Sequence, residues 1–137
     1  DMSRSGYVDD CDDQWSLIRY RGAVKSALRG KRGQAFLEEA AKALDAMPVK
    51  ELAANSLVTE QGSYCLLGAV GAARGLDLDA LDPDDIETVA AQFGISDAMA
   101  REIVWNNDEG SWSSETPAQR WQRMRAWVDA WRKDATP

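Results

Sequence analysis

The chain contains no histidine. That absence removes histidine general bases, histidine-activated nucleophiles and histidine metal ligands together. There are only two cysteines, Cys11 and Cys65, too far apart in sequence for a zinc or redox spacing. Four prolines and ten glycines in 137 residues exclude a low-complexity or collagen-like chain. Long hydrophobic runs are missing as well. The longest uncharged, mostly apolar stretch, 64–73, is half of what a membrane-spanning helix needs. The first dozen residues are polar and acidic, so no signal peptide is expected and the expected compartment is the cytoplasm.

What is present suits one globular domain. The chain is 45% hydrophobic and 28% charged, near the averages for folded proteins. At this length it buries about two-thirds of its unfolded surface, with no need of a metal or disulfide staple. Its 16 basic and 23 acidic residues give a net charge of −7, unevenly spread. Residues 77–109 carry ten acidic groups and one basic group, Arg101. Residues 1–34 and residues 110–137 each carry a net +2.

The patterning predicts a mainly α fold: residues 1–137 as one compact bundle of about six helices. At most one short β-hairpin is expected, near residues 57–65, and residues 1–13 read as a loose N-terminal segment. A first helix is expected over Gln14–Leu28, with Trp15, Ile18, Val24 and Leu28 as its apolar positions. Lys31-Arg32-Gly33 reads as a tight connection after Gly30. The next helix, Gln34–Met47, aligns Phe36, Leu37, Ala40, Leu44 and Met47 before Pro48. Leu66–Arg74 reads as a small-residue helix in the centre of the domain, closed by Gly75. Asp82 is expected to cap a helix with Pro83 in its first position. Ser96 is expected to cap a helix ending near Trp105, with a polar loop over Asn106–Ser114. Thr116-Pro117 opens a last helix to about Lys133. Trp15, Trp121 and Trp131 are expected in the core, and Trp112 is the tryptophan expected to be exposed.

Three constellations bear on function. The acidic block offers Asp79, Asp82, Asp84, Asp85, Asp97 and Glu102 to a basic partner, with Trp112 as a candidate anchor. Arg21, Lys25 and Arg29 repeat every four residues, and Arg32 lies close by, so they form a basic stripe able to track phosphates. Val89–Ser96 followed by Ala100 and Ile103 resembles a helix-turn-helix, but its second helix offers Asp97, Arg101 and Glu102, a poor set for phosphate. The carboxylates Asp9, Asp10, Asp12 and Asp13, and the run 106–110, lack calcium-loop spacing and read as loops and caps. No carboxylate pair or activated cysteine suggests catalysis, so the chain is expected to be no enzyme, with no cofactor and no metal.

Met2-Ser3-Arg4-Ser5-Gly6-Tyr7 and Arg29-Gly30-Lys31-Arg32-Gly33-Gln34 resemble motifs of a group of small bacteriophage and prophage proteins. The resemblance continues through Cys65–Gly71, Ala73–Asp77 and Asn107-Asp108-Glu109. It implies a phage origin and attaches no activity or functional residue. Small acidic phage proteins without catalytic equipment often act by binding host proteins, and anti-CRISPR or other anti-defence inhibition is one such role. The expectation is therefore a monomer or homodimer that binds a host protein with a basic surface, away from membranes and with nucleic acid disfavoured. The alternatives are a helix-turn-helix-like nucleic-acid-binding regulator using the basic stripe, and a phage structural or assembly protein.

Overall fold

The computed structural model describes residues 14–109 and 114–132. Six α-helices make up the described fold: α1 Gln14–Arg29, α2 Lys31–Ala46, α3 Leu66–Arg74, α4 Ile86–Phe93, α5 Asp97–Glu109 and α6 Pro117–Trp131. A 3₁₀ turn, Leu78–Ala80, precedes α4. The mainly α bundle read from the sequence is what the structure contains. The expected hairpin shrinks to one antiparallel bridge, Val58 to Tyr64, among the described residues. No described helix is long and apolar enough to cross a membrane.

Helix α3 occupies the middle. Leu66, Leu67, Gly68, Ala69, Val70 and Gly71 are all buried, because the helix packs on α2, on α5 and on the 3₁₀ turn. Its bulk is limited for a reason. A Cβ on Gly68 would stand 1.9 Å from the Leu57 carbonyl oxygen, so only glycine allows the 57–65 segment to lie against α3. Leu28, Leu37, Leu44, Leu52, Met99, Ile103 and Met124 complete the core around it. Phe36 and Phe93 meet edge to face with ring centroids 6.2 Å apart.

The junction of α1 and α2 corrects the expected connection. Gly30 alone separates the helices, and Lys31-Arg32-Gly33 is the first turn of α2. Gly33 serves packing here. A Cβ on it would lie 1.9 Å from the Ala27 carbonyl oxygen, so its bare backbone lets α2 cross α1 closely. Helix α4 also starts later than expected. Asp82-Pro83-Asp84-Asp85 forms a turn closed by the Asp85 N–H donating to the Asp82 carbonyl at 3.1 Å. Asp and Pro take the turn positions they favour, and Asp85 becomes the cap, accepting from the Thr88 N–H at 3.3 Å.

Helix α5 runs a full turn past Trp105, so Asn106–Glu109 is helical and not loop. The cause is Asn107, 1% exposed. Its side-chain oxygen accepts from the Leu66 N–H at 3.2 Å, and its amide donates to the Ala53 carbonyl at 2.9 Å. One side chain thus joins the end of α5, the start of α3 and the 52–55 segment. Helix α6 opens as predicted, with Thr116 as cap in a reciprocal pair with Gln119 and Pro117 in the first turn.

Trp15 and Ile18 are not core residues: they are 73% and 53% exposed. At 3.6 residues per turn, Trp15 lies about 180° around α1 from Val24, nine residues on. Val24 and Leu28 are buried, which turns Trp15 outward. Trp121 and Trp131 are half-buried and packed against the core.

Candidate interaction surfaces

The basic side chains of α6 are consumed internally. Arg123 holds Glu115 in a two-pronged pair at 2.7 and 2.9 Å, and also donates to the Asn106 carbonyl at 2.7 Å. Arg120 donates to the carbonyls of Asn107 and Leu52, both at 3.1 Å. These two arginines therefore cap the C-terminal carbonyls of α5 with positive charge. Arg125 grips Asp45 on α2 and reaches Asp129 on its own helix. Arg132 pairs with Glu38 and with Asp129. The guanidiniums hold Glu115, Asp45 and Asp129 below the usual carboxylate range, in each case chiefly by hydrogen bonding. Arg74 does the same for Glu39 and donates to the Gln92 and Phe93 carbonyls at the end of α4.

The acidic block divides in three. Asp79, Asp82, Asp84 and Asp85 lie together on the exposed edge formed by the 3₁₀ turn and the approach to α4, joined by Asp77 and Glu87. None of them makes an ion pair among the described residues; Asp82 and Asp85 accept only local hydrogen bonds. Asp97 sits at the start of α5, beyond the far end of α4, so a helix of about 12 Å separates it from the edge. Glu102 is elsewhere again. It lies half-buried in a cleft between α1, α5 and α6, where it accepts from the Asn106 amide at 2.9 Å. Burial pushes its carboxyl above the usual glutamate range, opposed by that hydrogen bond and by nearby Arg21. Trp112 lies outside the described residues, as do Cys11 and the aspartates at 9–13.

The basic stripe stays open. Arg21, Lys25, Arg29 and Arg32 are exposed and make no ion pair among the described residues. Arg21 and Lys25 rim the cleft of about 310 Å³ that also contains Val24, Glu102, Trp105 and Trp131. Arg29 lies over the Trp131 ring, 5.7 Å from its centroid. Arg32 borders a second cavity of about 280 Å³ with Ile95, Ser96 and Met99. Among the described residues the stripe makes no ion pair with the acidic edge.

Helices α4 and α5 have helix-turn-helix connectivity, with Gly94 left-handed between them and Ser96 accepting from the Met99 N–H at 3.1 Å. Yet α5 is enclosed by α1, α3, α4 and α6 and buries Met99, Ala100, Ile103, Val104 and Asn107. Its fully exposed residues, Asp97 and Glu109, are both acidic, which opposes contact with DNA phosphates. Cys65 is a buried free thiol whose sulfur accepts from the Gly68 N–H at 3.4 Å, capping α3. Among the described residues, no group of three or more carboxylates or cysteines is arranged to hold a metal ion.

Comparison with protein-family models, with curated proteins and with solved structures returns no match.

Proposed function

We propose that the chain is a non-enzymatic binding protein that docks its acidic edge on a basic surface of a host protein and blocks it. The observation that carries this reading is the contrast in charge use. Asp77, Asp79, Asp82, Asp84 and Glu87 are exposed without ion pairs among the described residues, while α6 draws Glu115, Asp45, Asp129 and Glu38 into pairs. Carboxylates left unpaired on one edge raise association rates with a positive surface and select against acidic competitors. The sequence resemblance to phage proteins supplies the host context, and a nucleic-acid channel in a CRISPR effector is one basic surface of the required kind.

The test is an affinity capture from host lysate at low and moderate salt, followed by mass spectrometry, with the wild-type chain and with Asp79→Lys/Asp82→Lys/Asp84→Lys. One protein recovered in fixed ratio by the wild type and lost by the triple variant is the expected result. Equal recovery by both chains removes the acidic edge from the interface.

A further inference from the structure

We infer that the exposed face of α1, together with the cleft at its side, is a binding surface for single-stranded nucleic acid. Bases would stack on tryptophan there, and phosphates would lie along Arg21, Lys25 and Arg29. This inference is independent of the acidic edge.

The first ground is the composition of the face. At about 100° per residue, Ile18, Lys25 and Arg29 fall within about 40° of one another on α1. Trp15 lies about 40° beyond Arg29, and Arg21 about 40° to the other side of Lys25. The face therefore interleaves three cations with an indole that is 73% exposed and an isoleucine that is 53% exposed. Surface built for charge alone has no use for that indole. A single strand offers both partners at once: phosphates for the cations and unpaired base faces for the ring.

The second ground is the cleft. Trp105 from α5 and Trp131 from α6 are both half-buried in its lining, and Arg21 and Lys25 stand at its rim. Trp131 is held in place before any ligand arrives. Its carbonyl accepts from the Gln34 amide at 2.7 Å, and the next residue, Arg132, is locked to Glu38 at 2.9 Å. Glu102 is the one carboxylate lining this cavity among the described residues, fixed by Asn106. A lipid chain has no donor for it and an inorganic phosphate brings like charge against it, whereas the amino or imino group of a base is a neutral donor.

The third ground is electrostatic. The chain as a whole is acidic, at net −7, but exposed charges act over about 10 Å at ordinary ionic strength. A strand lying on this face meets Arg21, Lys25 and Arg29, none of them in an ion pair among the described residues, with Glu102 acting on Arg21 through space. Duplex DNA is a poorer ligand, because its bases are already stacked and cannot reach Trp15 or the cleft.

The test is fluorescence anisotropy of a labelled deoxythymidine strand of about twelve nucleotides, titrated with the full chain at low salt. The expected result is binding that weakens steeply with salt and is at least about tenfold tighter than for the matching duplex or for polyphosphate of equal charge. Arg21→Glu with Lys25→Glu should weaken it at least about tenfold, and Trp15→Ala about fivefold or more. Trp15 is exposed, so its removal leaves the fold intact. Asp79→Lys/Asp82→Lys/Asp84→Lys should bind the strand at least as well as the wild type. No binding at low salt overturns the inference. So does polyphosphate matching the strand, indifference to Trp15→Ala, or loss of binding in the acidic-edge variant.

Discussion

The two ends of the chain, residues 1–34 and 110–137, carry the same net charge of +2, and the fold treats them in opposite ways. On α6 every arginine has a built partner: Glu115, Asp45, Asp129 and Glu38, or a carbonyl at the end of α5. On α1 and the first turn of α2, Arg19, Arg21, Lys25, Lys31 and Arg32 make no ion pair among the described residues, and Glu102 acts on Arg21 only through space. The difference lies in the neighbours. Helix α6 packs on α2, whose Glu38 and Asp45 face it, and receives Glu115 from its own approach. Helix α1 packs on α2 and α5 through Val24 and Leu28, which leaves its charged face to solvent. Charge count alone does not say whether a basic helix is structural or available. The carboxylates of the adjoining element decide.

The largest effect expected on the structural side belongs to Asn107. Asn107→Leu strands the Leu66 N–H and the Ala53 carbonyl, and should cost about 3 kcal/mol of unfolding free energy in urea. A loss under about 1 kcal/mol would show that α5, α3 and the 52–55 segment are not joined through this side chain. Next comes Arg123→Ala, which leaves Glu115 only its longer contact with Arg120 at 3.4 Å and uncaps the Asn106 carbonyl; about 2 kcal/mol is expected by the same measurement.

Acid sharpens the contrast further. Arg123 and Arg120 hold the Glu115 carboxyl below the usual glutamate range. Its stabilisation is therefore complete above that ordinary range and is lost from about pH 5 downward, as pH falls through the lowered folded value. Glu115→Gln should lose about 1 kcal/mol at pH 7 and show a shallower decline toward pH 3. A decline as steep as that of the wild type would place the acid sensitivity elsewhere. The smallest effects belong to α1. Arg21→Ala and Lys25→Ala should each change stability by no more than about 0.5 kcal/mol, checked by thermal and urea unfolding.

Much of the fold was legible in local pattern. Leu66–Arg74 was bounded by an apolar run and Gly75, and Thr116-Pro117 marked the start of α6. Those signals lie within a few residues of the structures they specify. What escaped depends on distant partners. Asn107 looked like a loop amide because its hydrogen-bonding groups belong to residues 53 and 66. Gly33 looked like a breaker because its close neighbour, Ala27, sits on another helix. Trp15 looked apolar and therefore buried, although helical geometry sets it opposite Val24, and that angle was available from the sequence. Of the candidate site, the shared edge of Asp79, Asp82, Asp84 and Asp85 follows from adjacency. The separation of Glu102 into the α1 cleft does not, since it depends on how α5 packs against α1 and α6.

The central claim is that α6 uses its basic side chains for stability while α1 keeps its own available. Urea unfolding of Arg19→Gln/Arg21→Gln/Lys25→Gln/Arg32→Gln beside Arg123→Ala tests it most directly. The quadruple variant should stay within about 1 kcal/mol of the wild type, while the single variant loses about twice that. A quadruple variant as damaged as Arg123→Ala would make the α1 charges structural and contradict the account.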